Sequence, residues 1–206
     1  MEKTIRLVLW RHGQTIWNAE RRFQGQTDIE LDETGKAQAE RAARLLTGLS
    51  PTMIVSSDLS RAASTAAYLA RLTGLAVTHD KDLRERHGGS WEGLTDSDIR
   101  ERYPAEHSSW LPPDGEPSDA VADRVVAALR RTADALGNGG VAVVVSHGAA
   151  IRLGISRLLG LPEDLFSVLG PLANCSWSVL GTRRGRWRLL EHNAGTLPEP
   201  VLGDDR

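Results

Sequence analysis

Cys175 is the only cysteine among the 206 residues, so no disulfide can form within the chain. A crosslinked framework is excluded as the source of stability, and the composition suits a reducing cytoplasm. Long apolar runs are missing too. The first apolar stretch ends at Trp10, well short of the ~20 residues that a membrane-spanning helix needs, and nothing before it has the form of a signal peptide. A soluble cytoplasmic protein with no membrane partner is expected. Charge of one sign is also lacking: 25 Lys and Arg face 27 Asp and Glu, for a formal net charge of -2. The arginine pairs Arg21-Arg22, Arg130-Arg131 and Arg183-Arg184 are scattered among carboxylates and read as solvated faces, so no nucleic-acid partner is expected.

What is present is an alternation. Short apolar runs of strand length are separated by longer segments of helical period, the pattern of a three-layer α/β/α domain with a mainly parallel sheet of about six strands. Residues 1–206 fit one domain, large enough to bury roughly 70% of the unfolded surface. Strands are expected at Ile5 to Trp10, Met53 to Ser56, Ala76 to His79 and Val141 to Ser146, the last in a central position. Two closing strands are expected around Ser176 to Leu180 and Trp187 to Glu191. Ala42, Leu45, Leu46 and Leu49 follow the i, i+3, i+4, i+7 rule, predicting a helix over about 33–49 capped by Asp32 or Thr34. A second helix, capped by Ser57 or Asp58, carries Arg61 on its first turn and stops at Gly74. A third opens at Ser118, a fourth runs over about 149–159, and a short one lies near 163–169. Between about 82 and 117 the period fails, which reads as an insertion over the end of the sheet. Residues 194–206 read as a flexible tail.

Two of the strands end in the same polar turn: Trp10-Arg11-His12-Gly13 and Ser146-His147-Gly148. Ligands of open parallel sheets bind at the carboxyl ends of strands, so both histidines are expected at a pocket. A glycine after each histidine would leave room for a ligand against the imidazole and expose backbone N–H groups. Arg11 precedes His12, and Arg61 begins the helix after the second strand, so two guanidiniums can converge there. Their planar forks match phosphate oxygens. Two arginines and two histidines without a close set of carboxylates or cysteines suit a dianion better than a divalent metal, and no metal or cofactor is expected. Singly, each piece is weak: Arg61 alone reads as a surface residue and Glu85 alone as a solvated carboxylate. It is the repeated turn that carries the reading.

Taken with their neighbours, these residues resemble the histidine phosphatase superfamily, also called phosphoglycerate mutase-like. The resemblance rests on Arg11-His12-Gly13-Gln14-Thr15 with Trp17-Asn18, Phe23-Gln24-Gly25-Gln26-Thr27-Asp28, Ser56-Ser57-Asp58-Leu59 with Arg61-Ala62, Leu83-Arg84-Glu85, Trp91-Glu92-Gly93-Leu94 and Val145-Ser146-His147-Gly148, in that order along nearly the whole chain. It implies His12 as nucleophile and Glu85 as general acid and base. Arg11, Arg61 and His147 would complete the catalytic pocket, with Asn18, Gln24, Gly25 and Gly148 as further phosphate or substrate contacts. The chemistry agrees, because attack on phosphorus needs a neutral imidazole nitrogen and fixed donors for the equatorial oxygens. A nearby phosphate dianion would favour the protonated form of the acid's carboxyl group, the form its task needs.

Family mutases carry a tyrosine three residues after the acid, then a lysine and an arginine pair that grip a bisphosphoglycerate. Here Gly88 takes the tyrosine's place, Thr95-Asp96 the lysine's neighbourhood, and Glu106 to Glu116 contains no arginine. The expected activity is therefore metal-independent hydrolysis of a small phosphomonoester through a phosphohistidine. A cofactor-dependent phosphoglycerate mutase and an inactive module that binds phosphorylated ligands are the alternatives. Gln24-Gly25-Gln26, Glu85-Arg86-His87, Asn174-Cys175-Ser176-Trp177, Trp187-Arg188-Leu189 and Asn193 look similar to actinobacterial glucosyl-3-phosphoglycerate phosphatases. Broad-specificity, α-ribazole and phosphoserine phosphatases of the family share most of these motifs, and Trp177 and Trp187 also read as core aromatics. Oligomeric state stays open, a homodimer included.

Overall fold

The computed structural model describes residues 4–195. Its strands are β1 (Ile5–Arg11), β2 (Met53–Ser56), β3 (Val77–His79), β4 (Gly140–Ser146), β5 (Trp177–Arg183) and β6 (Arg186–Ala194). They form one sheet in the order β3-β2-β4-β1-β5-β6, with β3, β2, β4 and β1 parallel and β5 and β6 antiparallel to their neighbours. The expected six strands are therefore present, and β4 is central, with β2 on one side and β1 on the other. Ala194 belongs to β6 rather than to a tail, and 196–206 lie outside the described residues.

Strand periodicity divides the core. On β1, Leu7 and Leu9 face one side while Val8 and Trp10 face the other, and on β4 Ala142 and Val144 are set against Val143 and Val145. A fully buried parallel sheet needs apolar residues on both faces, which is why these strands read as continuous runs. Helices α1 (Ile16–Ala19), α2 (Glu33–Leu46) and α3 (Ser60–Thr73) come before the insertion, and α4 (Asp96–Arg102) and α5 (Pro104–Ser109) lie within it. They are followed by α6 (Ser118–Leu136) and α7 (Gly148–Leu158). The apolar faces of α2 and α3, through Ala39, Ala42, Leu46, Ala62, Ala66 and Leu69, cover the Val8 side. Val121, Val125 and Leu129 of α6 with Ile151 and Ile155 of α7 cover the Leu7 side.

One cap differs from expectation. Asp32 caps α2 as read, accepting from Gly35 N at 2.7 Å, but neither Ser57 nor Asp58 caps α3. Asp28 does so from a distance, its Oδ1 accepting from both Ser60 N and Ser60 Oγ at 2.8 Å. Asp58 is drawn away by a bidentate pair with Arg84, both contacts at 2.7 Å, which holds its carboxyl below the usual carboxylate range. Residues 82–117 contain two helices too short to show a period, gathered on a separate cluster of Phe23, Trp91 and Ile99 with Leu94, Tyr103 and Trp110.

Candidate active site

Parallel pairing of β1 with β4 brings the two His-Gly turns together. Arg11 lies opposite Ser146, and His12 N–H donates to Ser146 O at 3.0 Å, so the residues that follow leave neighbouring strands side by side. Such strands run about 4.8 Å apart. The His12 and His147 rings accordingly stand with centroids 5.1 Å apart, and both are buried. His12 Nδ1 lies 2.7 Å from Gly13 O, an acceptor only, so the ring proton sits on Nδ1 and Nε2 keeps its lone pair. His147 Nε2 meets Ser57 Oγ at 2.9 Å. With the Ser57 hydroxyl donating to Nε2, while its oxygen accepts from Leu59 N–H at 3.3 Å, the His147 proton sits on Nδ1. That Nδ1 is buried with no partner in the protein.

Both imidazoles are held neutral. Burial pushes the His12 pKa well below its ordinary value, with the Arg61 and Arg11 guanidiniums adding to the effect. For His147 burial is again the largest cause, followed by Arg61, His12 and Arg11. Arg11 and Arg61 thus both act on the same pair of rings. Each is fixed by carbonyl groups: Arg11 Nη1 donates to Leu172 O, and Arg61 donates to Thr27 O at 2.9 Å and Gly25 O at 2.8 Å.

Asn18 is wholly buried on the turn after β1, where Thr15 caps α1 and its N–H donates to Asn18 Oδ1 at 3.1 Å. Asn174 Nδ2 adds a donor to the same oxygen at 3.3 Å, while Asn18 Nδ2 has no acceptor. Gln24 joins through Thr15, whose hydroxyl donates to Gln24 Oε1 at 2.8 Å. Gly25 uses its carbonyl to hold Arg61, and the loop is locked from behind by Glu92, which accepts from Gln26 N, Thr27 N and Gly88 N at 2.9–3.0 Å.

Glu85 reaches the amino end of α7, directly after His147 and Gly148. Its carboxylate accepts from Ala149 N at 3.2 Å, Ala150 N at 3.0 Å and Arg86 N at 2.8 Å. The strand-end loop that carries it is fastened by Arg124 of α6, which donates to the carbonyls of Asp82, Arg84 and Glu85 at 2.6–3.0 Å while pairing with Glu116. Beside Glu85 opens a cleft of about 440 Å³ walled by Phe23, Trp110, Phe166 and Leu153, with Arg86 and Arg152 as its cations. Among the described residues no three His, Cys, Asp or Glu side chains are grouped to hold a metal ion.

The sequence reading misjudged Gly13. Its N–H donates to Thr65 Oγ1 at 3.1 Å, and a Cβ there would stand 2.4 Å from Gly35 O. The glycine serves close packing against the start of α2, not ligand access. Ser57, Thr65, Glu92, Arg124 and Asn174 were missed as positioning residues. Ser57, Glu92 and Asn174 lie in motifs already quoted, but only their partners, 90, 66 and 162 positions away, reveal what they hold. Trp177 and Trp187 pack against the two cores rather than lining the cleft, as their plainer reading had it.

A parallel sheet that sets two neutral imidazoles and two guanidiniums at adjoining strand ends defines the chain as an α/β enzyme of the phosphatase class. It belongs to the histidine phosphatase superfamily (branch 1), whose family model matches residues 7–195. A glucosyl-3-phosphoglycerate phosphatase of Mycobacterium tuberculosis is 41% identical over 210 residues, covering 92% of this chain and 94% of that one. A probable phosphoglycerate mutase of Salmonella choleraesuis is 36% identical over 194 residues, covering 89% and 87%. Among solved structures, a mycobacterial glucosyl-3-phosphoglycerate phosphatase complexed with VO3 superposes with a TM-score of 0.88 at 39% identity, covering 93% of this chain and all of that one.

Proposed function

We propose that the chain hydrolyses phosphomonoesters through a phosphohistidine formed at His12 Nε2, with glucosyl-3-phosphoglycerate as its substrate. One observation carries the reading: two buried polar groups beside His12, Asn18 Nδ2 and His147 Nδ1, lack any partner in the protein, and a bound phosphoryl group would satisfy both. Arg11 and Arg61 supply the positive charge for its equatorial oxygens, with Gln24, Gly25 and Gly148 at the edges. Nε2 forms the bond to phosphorus as the ester oxygen leaves, and that oxygen takes a proton from Glu85. Water then attacks the phosphohistidine, gives its proton to Glu85, and inorganic phosphate departs from a restored imidazole.

Hydrolysis is favoured over mutase transfer by the insertion. A Cβ at Gly88 would stand 2.4 Å from Phe23 Cε1, so the position where a mutase carries tyrosine has no room for a side chain. The named substrate of the mycobacterial relatives, which match the chain over nearly its full length, supports the choice of glucosyl-3-phosphoglycerate. The single cysteine and balanced charge fit a cytoplasmic protein that acts on a small molecule. The test is phosphorus NMR of 3-phosphoglycerate with 2,3-bisphosphoglycerate, run beside hydrolysis of p-nitrophenyl phosphate and glucosyl-3-phosphoglycerate with and without EDTA. Phosphate release unaffected by chelation is expected, fastest from glucosyl-3-phosphoglycerate. Isomerisation outrunning phosphate release would make the enzyme a mutase, and loss of all activity on chelation would defeat the metal-free route.

A further inference from the structure

Helix α7 turns Ala149, Arg152 and Leu153 toward the cleft, the i, i+3, i+4 spacing of one helical face. Ala149 N–H is hydrogen-bonded to Glu85, so Arg152 stands about one turn along the same helix from the proposed acid. Its Nε is buried and has no acceptor in the protein. The acids that line the same cleft are otherwise occupied. Glu163 is taken by Arg157 at 3.2 Å, Glu85 by the start of α7, and Asp119 accepts from the N–H of Ala120 at 2.9 Å. Among the described residues no carboxylate pairs with Arg152, although leaving a guanidinium donor buried without an acceptor is unfavourable.

We propose that Arg152 determines specificity by binding a carboxylate on the leaving group, so that the site selects phosphomonoesters bearing a carboxylate close to the phosphate ester. The proposal rests on the phosphatase reading above. The charge of the cleft argues for a monoanion: its lining has three carboxylates, Glu85, Asp119 and Glu163, against the guanidiniums of Arg86 and Arg152. A second phosphate dianion would meet about twice the repulsion that a carboxylate meets there, and a carboxylate matches one planar fork. Arg86 is anchored by two carbonyls, donating to Glu116 O at 2.8 Å and Trp110 O at 3.1 Å, whereas Arg152 Nε has no acceptor in the protein.

The experiment compares kcat/KM for 3-phosphoglycerate and glycerol 3-phosphate, which differ by a carboxylate in place of a hydroxymethyl group. Wild type, Arg152→Gln and Arg152→Lys are measured, with p-nitrophenyl phosphate as a substrate that has no carboxylate. Wild type should prefer 3-phosphoglycerate, and in Arg152→Gln that preference ratio should fall about 10- to 100-fold. Arg152→Lys, which keeps the charge but loses the fork, should fall between the two. An unchanged ratio in Arg152→Gln, or an equal loss on both substrates, overturns the proposal while leaving the phosphatase reading intact. A wild type that turns over none of the three compounds overturns both.

Discussion

At the end of the sheet, His12, His147 and Arg61 are enclosed, and each is tied to the protein by a hydrogen bond that settles its orientation. A short distance away, the cleft beside Glu85 is walled by side chains from the loop after β1, the insertion, α7 and the turn at 163–168, several of them exposed. The first region is made rigid by strand pairing and dry by burial, which suits groups that must meet developing charge without rearranging. The second is assembled from loops and helix faces, where side-chain chemistry can change without disturbing the sheet. Reaction and selection are thus housed in different kinds of structure. On the proposed reading, the phosphoryl chemistry belongs to the sheet end and the choice of leaving group to the cleft.

The comparison breaks most visibly at the proposed nucleophile. His12→Ala should remove the nucleophile and lower kcat by roughly 10⁵-fold on every phosphomonoester alike, because the loss lies in the reaction and not in selection. A steady-state series over several substrates checks this, and a substrate-dependent loss would mean that the two regions are not separate. Glu85 borders both, and Glu85→Gln should slow turnover about 10²- to 10⁴-fold. More phosphoenzyme should accumulate in it than in wild type, since water is no longer activated. Rapid acid quench with labelled substrate measures the trapped fraction, and a fraction no greater than in wild type would remove Glu85 from the second step.

The smallest effect is one of stability. Both imidazoles have depressed pKa values in the fold, whereas in the unfolded chain they take up protons near pH 6.5. Below that pH the unfolded state binds more protons, so stability is full above about 6.5 and is lost as the pH falls toward the depressed values. The slope reaches up to about 1.4 kcal/mol per pH unit for each ring. Urea unfolding at pH 7.5 and 5.5 should show this loss, and His147→Gln should show less of it. Equal loss in the variant would place the acid sensitivity outside the paired rings.

Much of the sheet end was legible beforehand because strand runs and His-Gly turns are local features. The four parallel strands, the central place of β4 and the helix faces of Val121, Val125 and Leu129 follow from periodicities of two and 3.6 that each segment carries by itself. The cap of α3 was not legible, since Asp28 acts from 32 positions away and Asp58 is diverted by Arg84. Arg124 and Arg152 lie in helical segments and carry no sequence signal of a role. Nothing in their spacing shows that one gathers three loop carbonyls and that the other has a buried Nε with no acceptor among the described residues.

By itself, the order of residues determined which groups could perform phosphoryl chemistry and which segments would be strands, because residue type and short-range period are written in neighbouring positions. Only the tertiary structure decided that His12 Nε2 would be the free nitrogen, that Gly13 would serve packing, and that Arg152 would stand alone beside Glu85. Each of those outcomes depends on a partner, or on the lack of one, that long-range folding brings within hydrogen-bond distance.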